Sequence, residues 1–94
     1  MLGVNVTYTM KPGKRANFLS EIAAYGAQEA VRKEPGCIQY DYFLSVEDPN
    51  KLFLLEKWAD REAQAVHMNQ PHMAQITDIK ERYTLDTALE FYQL

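Results

Sequence analysis

The chain lacks most of the devices that staple small proteins together. Among its 94 residues there is one cysteine, Cys37, so no internal disulfide can form, and no Cys/His run has the spacing of a structural zinc site. The four glycines, Gly3, Gly13, Gly26 and Gly36, fall in no phosphate-cradling pattern. There is no Gly-x-Ser-x-Gly elbow for a serine nucleophile. An excess of positive charge is missing too. Ten Lys+Arg stand against thirteen Asp+Glu, a net charge of −3, and the basic residues are scattered, so no nucleic-acid partner is expected. The longest apolar runs, Ile22–Tyr25 and Leu52–Leu55, are far short of the roughly 20 residues of a membrane-spanning helix. The start of the chain alternates apolar and polar residues where a leader would be basic and then apolar. A cytoplasmic protein with no membrane partner is the expectation.

What is present is a folded composition: 47% hydrophobic and 24% charged residues, ordinary for a globular domain. The length predicts one domain over residues 1–94. A chain this short buries only about 60–65% of its unfolded surface. With disulfides excluded and no structural metal expected, self-association is the remaining source of extra stability.

Residues 2–10 alternate, with Leu2, Val4, Val6, Tyr8 and Met10 on one side, which is the period of a strand. Lys11-Pro12-Gly13 breaks it. Phe18, Leu19, Ile22, Ala23, Ala27, Ala30 and Val31 recur at helical spacing and predict one helix over residues 14–34, stopped by Pro35-Gly36. Residues 37–46 and 51–58 read as a hairpin, with Ile38, Tyr40, Tyr42, Leu44 and Val46 on one face. Asp60 suits the N-cap of a short helix ending near Met68. Pro71 suits the first position of another, with His72, Ile76, Ile79 and Tyr83 on one face. Residues 87–93 alternate as a last strand. The order β-α-β-β-α-β is that of a ferredoxin-like α+β sandwich, an antiparallel sheet with helices on one face. Phe43, Phe53, Leu55, Leu89 and Phe91 are assigned to the opposite face. A sheet apolar on both faces needs a second cover, and a second copy of the chain, a homodimer, is the expected one.

The residues able to do chemistry are few. Glu56 and Trp58 share strand parity with Leu52 and Leu54, which places a carboxylate in the helix-facing layer, where it must be paired or have a raised pKa. His67 and His72 lie on the inward sides of their helices. An imidazole beside an apolar pocket can act as a general base near neutral pH, or simply pack with its nitrogens hydrogen-bonded. As metal ligands the two are spaced i, i+5 across a proline with no third nitrogen or sulfur ligand near in sequence, so no metal is expected. Cys37 has no adjacent base to activate it and reads as inert. Composition and spacing reach an aromatic- and His-lined cavity between sheet and helices, and no further.

The ordered set Lys11-Pro12-Gly13, Glu34-Pro35-Gly36-Cys37-x-x-Tyr40, Leu54-Leu55-Glu56-Lys57-Trp58 and Ala65-x-His67-x-x-x-Pro71-His72-Met73 resembles the antibiotic biosynthesis monooxygenase family. The resemblance implies a dimeric α/β-barrel-type ferredoxin-like protein. It also implies a cofactor-independent monooxygenase that uses O2 on a small quinol-like or polycyclic phenolic substrate. His67 would then take the substrate proton, and Trp58, Tyr40, His72, Glu56 and Val6 would line the pocket. Heme-degrading relatives carry an Asn/Trp/His set whose places here hold Val6, His67 and Thr77, which disfavours that chemistry. Two alternatives use the same residues: a non-oxidative isomerase or lyase on a small, possibly phosphorylated metabolite, and a non-catalytic ligand-binding dimer. A phosphorylated substrate would need basic side chains at the cavity, for which Lys57, Arg61 and Arg82 are the candidates.

Overall fold

Strict alternation from Leu2 to Met10 produces a central strand whose inward residues, Leu2, Val4, Val6, Tyr8 and Met10, are all buried. Around it a computed structural model describes residues 1–94 as β1 (Leu2–Met10), α1 (Arg15–Tyr25), α2 (Ala27–Arg32), β2 (Cys37–Leu44), β3 (Lys51–Trp58), α3 (Arg61–Met68), α4 (Met73–Tyr83) and β4 (Thr84–Gln93). The strands form one sheet in the order β2-β3-β1-β4, with every neighbouring pair antiparallel. This is the ferredoxin-like α+β arrangement that the element order predicts. The core lies between the inward face of the sheet and the helices, where Phe18, Ile22, Val31, Ile76 and Ile79 meet Val4, Val6, Leu52 and Leu54.

Four local readings change, each for a physical reason. The helix expected over residues 14–34 is two helices, because Gly26 adopts a left-handed conformation (φ 74°). Only a residue without Cβ enters that region cheaply. The chain restarts as α2, which buries Ala27 and Val31 while Ala23 is exposed. Ile38 leaves the inward face of β2 because it is the extra residue of a bulge: Cys37 pairs with Trp58 and Gln39 with Lys57, so Ile38 has no partner and is exposed. Val46 lies beyond the strand, fully in solvent. Finally, α4 starts at Met73, with Pro71 and His72 in the turn before it.

A further change concerns the faces of the sheet. β4 starts at Thr84, three residues earlier than its alternation suggests. Its register pairs Leu89 with Val6 and Phe91 with Val4, which puts both on the helix side and not on the opposite face. They are about half exposed there, 49% and 51%, so the helices do not fully cover this edge strand. Phe43, Phe53 and Leu55 do occupy the outer face, in register with Thr7 and Asn5, and the rings of Phe43 and Phe53 stand 6.4 Å apart.

Candidate functional site

The tight turn after α2 brings the site together. Gly36 has φ 83°, and a Cβ there would lie 2.6 Å from the Ala63 Cβ. Its lack of a side chain is therefore what lets α3 approach the turn. The Ala59 N–H donates to the Gly36 carbonyl at 2.8 Å, and the Asp60 carboxylate caps α3 by accepting from the Ala63 N–H at 2.8 Å. These contacts set His67, one helical turn along from Ala63, over the end of β3 and beside Glu34.

His67 is the centre of the cluster and is 2% exposed. Its Nδ1 lies 2.9 Å from Oε2 of Glu34, and the same oxygen lies 2.7 Å from Nε2 of His72. An ionised carboxylate only accepts, and in that form of Glu34 both imidazoles donate N–H to it. With Nδ1 carrying the hydrogen, neutral His67 presents an Nε2 lone pair on the other side of its ring. That nitrogen is 4.0 Å from Oε1 of Glu56. Trp58 Nε1–H donates to Oε1 of Glu56 at 3.0 Å. The Trp58 ring lies 4.6 Å from the His67 ring, tilted 32°, and the Tyr40 ring stands 6.0 Å away, nearly edge-on.

Burial sets the protonation states. It raises the pKa of Glu56 above the ordinary carboxylate value, a shift that the Trp58 hydrogen bond and the nearby His67 partly offset. It pushes the phenols of Tyr8 and Tyr40 well above 10.0 and Tyr42 up to about 12. These tyrosines are neutral walls, not bases. The other side chains of the cavity lining with a nitrogen or carboxylate oxygen that can accept a proton are His67 and Glu56.

The cavity is lined by the buried Val6, Tyr8, Tyr40, Glu56, His67 and Ile76 and, towards its mouth, by the more exposed Met68, Met73, Lys80, Thr87 and Leu89. Of the six residues singled out in the sequence, Val6, Tyr40, Glu56 and His67 reach it. Trp58 is fully buried beneath His67, and His72 reaches Glu34 from the far side. The free volume is about 50 Å³. A buried water needs roughly 10–15 Å³ of such space, so the closed cavity admits a few waters. A ring-sized ligand needs more space than this, and Met68 and Met73 are the most flexible side chains of the lining.

None of the basic residues considered for a phosphorylated substrate lines this cavity. Lys57 is on the outer face of β3, between Gly3 and Gln39. Arg61 lies beside Met1 and Gln93, and Arg82 is paired with Glu21 at 2.7 Å. The one cation at the mouth is Lys80. Sequence reasoning missed it, and missed Glu34, the hub of the cluster. For Lys80 the signal was spacing, since it follows Ile76 by four on the apolar stripe of α4; Glu34 lies past the end of α2 in the turn before Pro35, where spacing gives no such signal. Glu34 also supplies the third ligand atom that the sequence did not show near the two histidines; one atom each from Glu34, His67 and His72 lies within 4.8 Å of the others.

With this geometry in place, comparison with known proteins is informative. A crystal structure described as an antibiotic biosynthesis monooxygenase superposes with a TM-score of 0.86 at 25% identity, covering 100% of this chain and 98% of that one. PA3566 of Pseudomonas aeruginosa gives 0.84 at 28% identity over 99% and 93%. A Bacteroides thetaiotaomicron protein of unknown function, described as a possible oxidoreductase, gives 0.86 at 27% identity over 99% and 96%. In sequence, the uncharacterized protein sll1783 of Synechocystis is 28% identical over 69 residues, 73% of this chain. The chain spans about half the length of that curated relative, 46%. The family model for antibiotic biosynthesis monooxygenase matches residues 1–78, which takes in every member of the Glu34–His67–His72–Glu56 cluster, and the chain belongs to that family.

Proposed function

We propose that the protein is a cofactor-independent monooxygenase for a small quinol-like or polycyclic phenolic substrate. The observation that carries this reading is the orientation of His67: Glu34 holds Nδ1 and leaves Nε2 as a proton acceptor on a ring that lines a small, largely apolar cavity. The substrate O–H gives its proton to Nε2, and the electron pair stays on the phenolate, delocalised onto ring carbon. A water-poor cavity disfavours a localised charge more than a delocalised one. The anion then reduces O2. One oxygen atom forms a new C–O bond to the ring and the other leaves as water, so a quinol and O2 give a hydroxyquinone and water. All four electrons come from the substrate. Lys80 at the mouth attracts the anion. One such cation suits a phenolate better than a phosphate dianion, which weighs against the phosphorylated alternative.

The reaction takes place in a homodimer packed through the outer face of the sheet, where Phe43, Phe53 and Leu55 lack a cover. Oxygen uptake with freshly reduced naphthoquinol, corrected for autoxidation with heat-killed protein, tests the activity. Turnover should depend on folded protein and fall at least about tenfold in His67→Ala, in keeping with the loss of a general base. No uptake over a panel of phenols and quinols would overturn the reading. A second reading, a proton-transfer isomerase, draws support from the proximity of Glu56 to His67; deuterium entering a metabolite from D2O without oxygen consumption would mark it.

A further inference from the structure

Two carboxylates are buried in this cluster, Glu34 and Glu56, and their ion-pair partners are imidazoles alone, with no Lys or Arg among them. A buried anion needs a compensating charge, which here is either a proton on a ring nitrogen or a cation. The Glu34 side chain is 5% exposed, and its second oxygen, Oε1, is buried with no hydrogen-bond partner. Such an orphaned acceptor is uncommon in a well-packed interior, and it belongs to the carboxylate whose other oxygen, Oε2, already meets two histidine nitrogens.

We propose that Glu34, His67 and His72 form a binding site for a borderline divalent cation of the Zn²⁺ type. Two imidazoles and one carboxylate are a ligand set that such ions favour. His67 would bind through Nδ1, His72 through Nε2 and Glu34 through its carboxylate, all within 4.8 Å of one another. The other ring nitrogen of His67 faces Glu56 at 4.0 Å, the place where ligating histidines usually keep a carboxylate. His72, with 17% of its side chain exposed, gives the ion a way in and leaves a position open to water.

The consequence goes beyond the proposed reaction. An ion on Nδ1 displaces the hydrogen shared with Glu34, and neutral His67 then carries its hydrogen on Nε2. The ring loses the lone pair it presents to the cavity. The metal-bound form is therefore an off state, and the metal-free form is the one able to take a substrate proton.

Titration of the chelator-treated full chain with ZnCl2, followed by calorimetry, tests the site without any substrate. One ion per chain is expected with a Kd at or below about 10 µM. Glu34→Gln and His72→Ala should each weaken it at least about tenfold, the loss expected for disturbing a metal's ligands, with far-UV circular dichroism confirming that both variants fold. Absence of stoichiometric binding, or variants that bind as the wild type does, overturns the site. Zn²⁺ that binds but leaves naphthoquinol-dependent oxygen uptake unchanged overturns the off state. The two readings fail separately: turnover without binding removes the metal site alone, and binding without turnover on any phenol removes the oxygenase alone.

Discussion

Glu56 links the pH dependence of stability to the candidate site, because it is a buried carboxylate in the cavity wall. Its folded pKa lies above the ordinary 4.5 because burial penalises the anion. The unfolded chain therefore releases this proton at a lower pH than the folded chain does. Folding is favoured by the protonated form, so the contribution of Glu56 to stability falls as pH rises from 4.5 through its raised folded value, and stays low above it. Glu56→Gln keeps an oxygen to accept from the Trp58 N–H and removes the charge. Melting temperatures measured from about pH 4 to about pH 8 should show the variant gaining on the wild type as pH rises. A constant difference across that range would mean that Glu56 is charge-compensated in the fold. The same substitution removes a proton acceptor from the cavity wall, so a gain in stability should accompany any loss of turnover.

At the scale of elements, the site depends on a turn more than on any helix or strand. Gly26 and Gly36 both have left-handed backbones, φ 74° and 83°, but their surroundings differ. A Cβ at Gly26 meets nothing within 4 Å, so Gly26→Ala costs only the conformational penalty, about 1–2 kcal/mol. At Gly36 the same penalty is joined by the 2.6 Å approach to Ala63, which α3 can relieve only by moving away and carrying His67 from Glu34. Thermal unfolding should rank Gly36→Ala below Gly26→Ala. At temperatures where both are folded, only Gly36→Ala should lose oxygen uptake. Equal activities would show that His67 is placed by something other than this turn. The sequence made part of this legible. Pro35-Gly36 announces a stop, Asp60 a cap, and the parity of Leu52 and Leu54 the inward direction of Glu56. It did not disclose Glu34 as the hub, because a glutamate before Pro-Gly looks like an exposed helix end until tertiary packing closes α3 over it. Nor did it show the Ile38 bulge, since an apolar residue at the start of a strand fits either face until the partner's register is known.

At the scale of the whole molecule, the question is what covers the apolar surface that one chain leaves open. Alternation within β4 could not decide its orientation, since Ala88 and Tyr92 on one parity, and Leu89 and Phe91 on the other, are all apolar enough to face the core. Only pairing with Val6 and Val4 places them on the helix side. That removes two of the five residues first assigned to the outer face, and the case for a dimer through that face narrows to Phe43, Phe53 and Leu55. The proposal rests on these three because Phe53 and Leu55 both lie on β3, one of the two central strands, with Phe43 beside them on β2. A face-to-face partner would bury these three from both copies, and aromatic residues at the centre of an interface carry much of its binding energy. Phe53→Asp would bury an unpaired charge in that interface, a costly arrangement. Light scattering on size-exclusion fractions should therefore give twice 10.9 kDa for the wild type and the single-chain mass for Phe53→Asp. Leu89→Asp, on the other face at the cavity mouth, should remain dimeric. A wild type that elutes at the single-chain mass would refute the dimer, and a dimer broken by Leu89→Asp but not by Phe53→Asp would move the interface to the helix-side edge of β4.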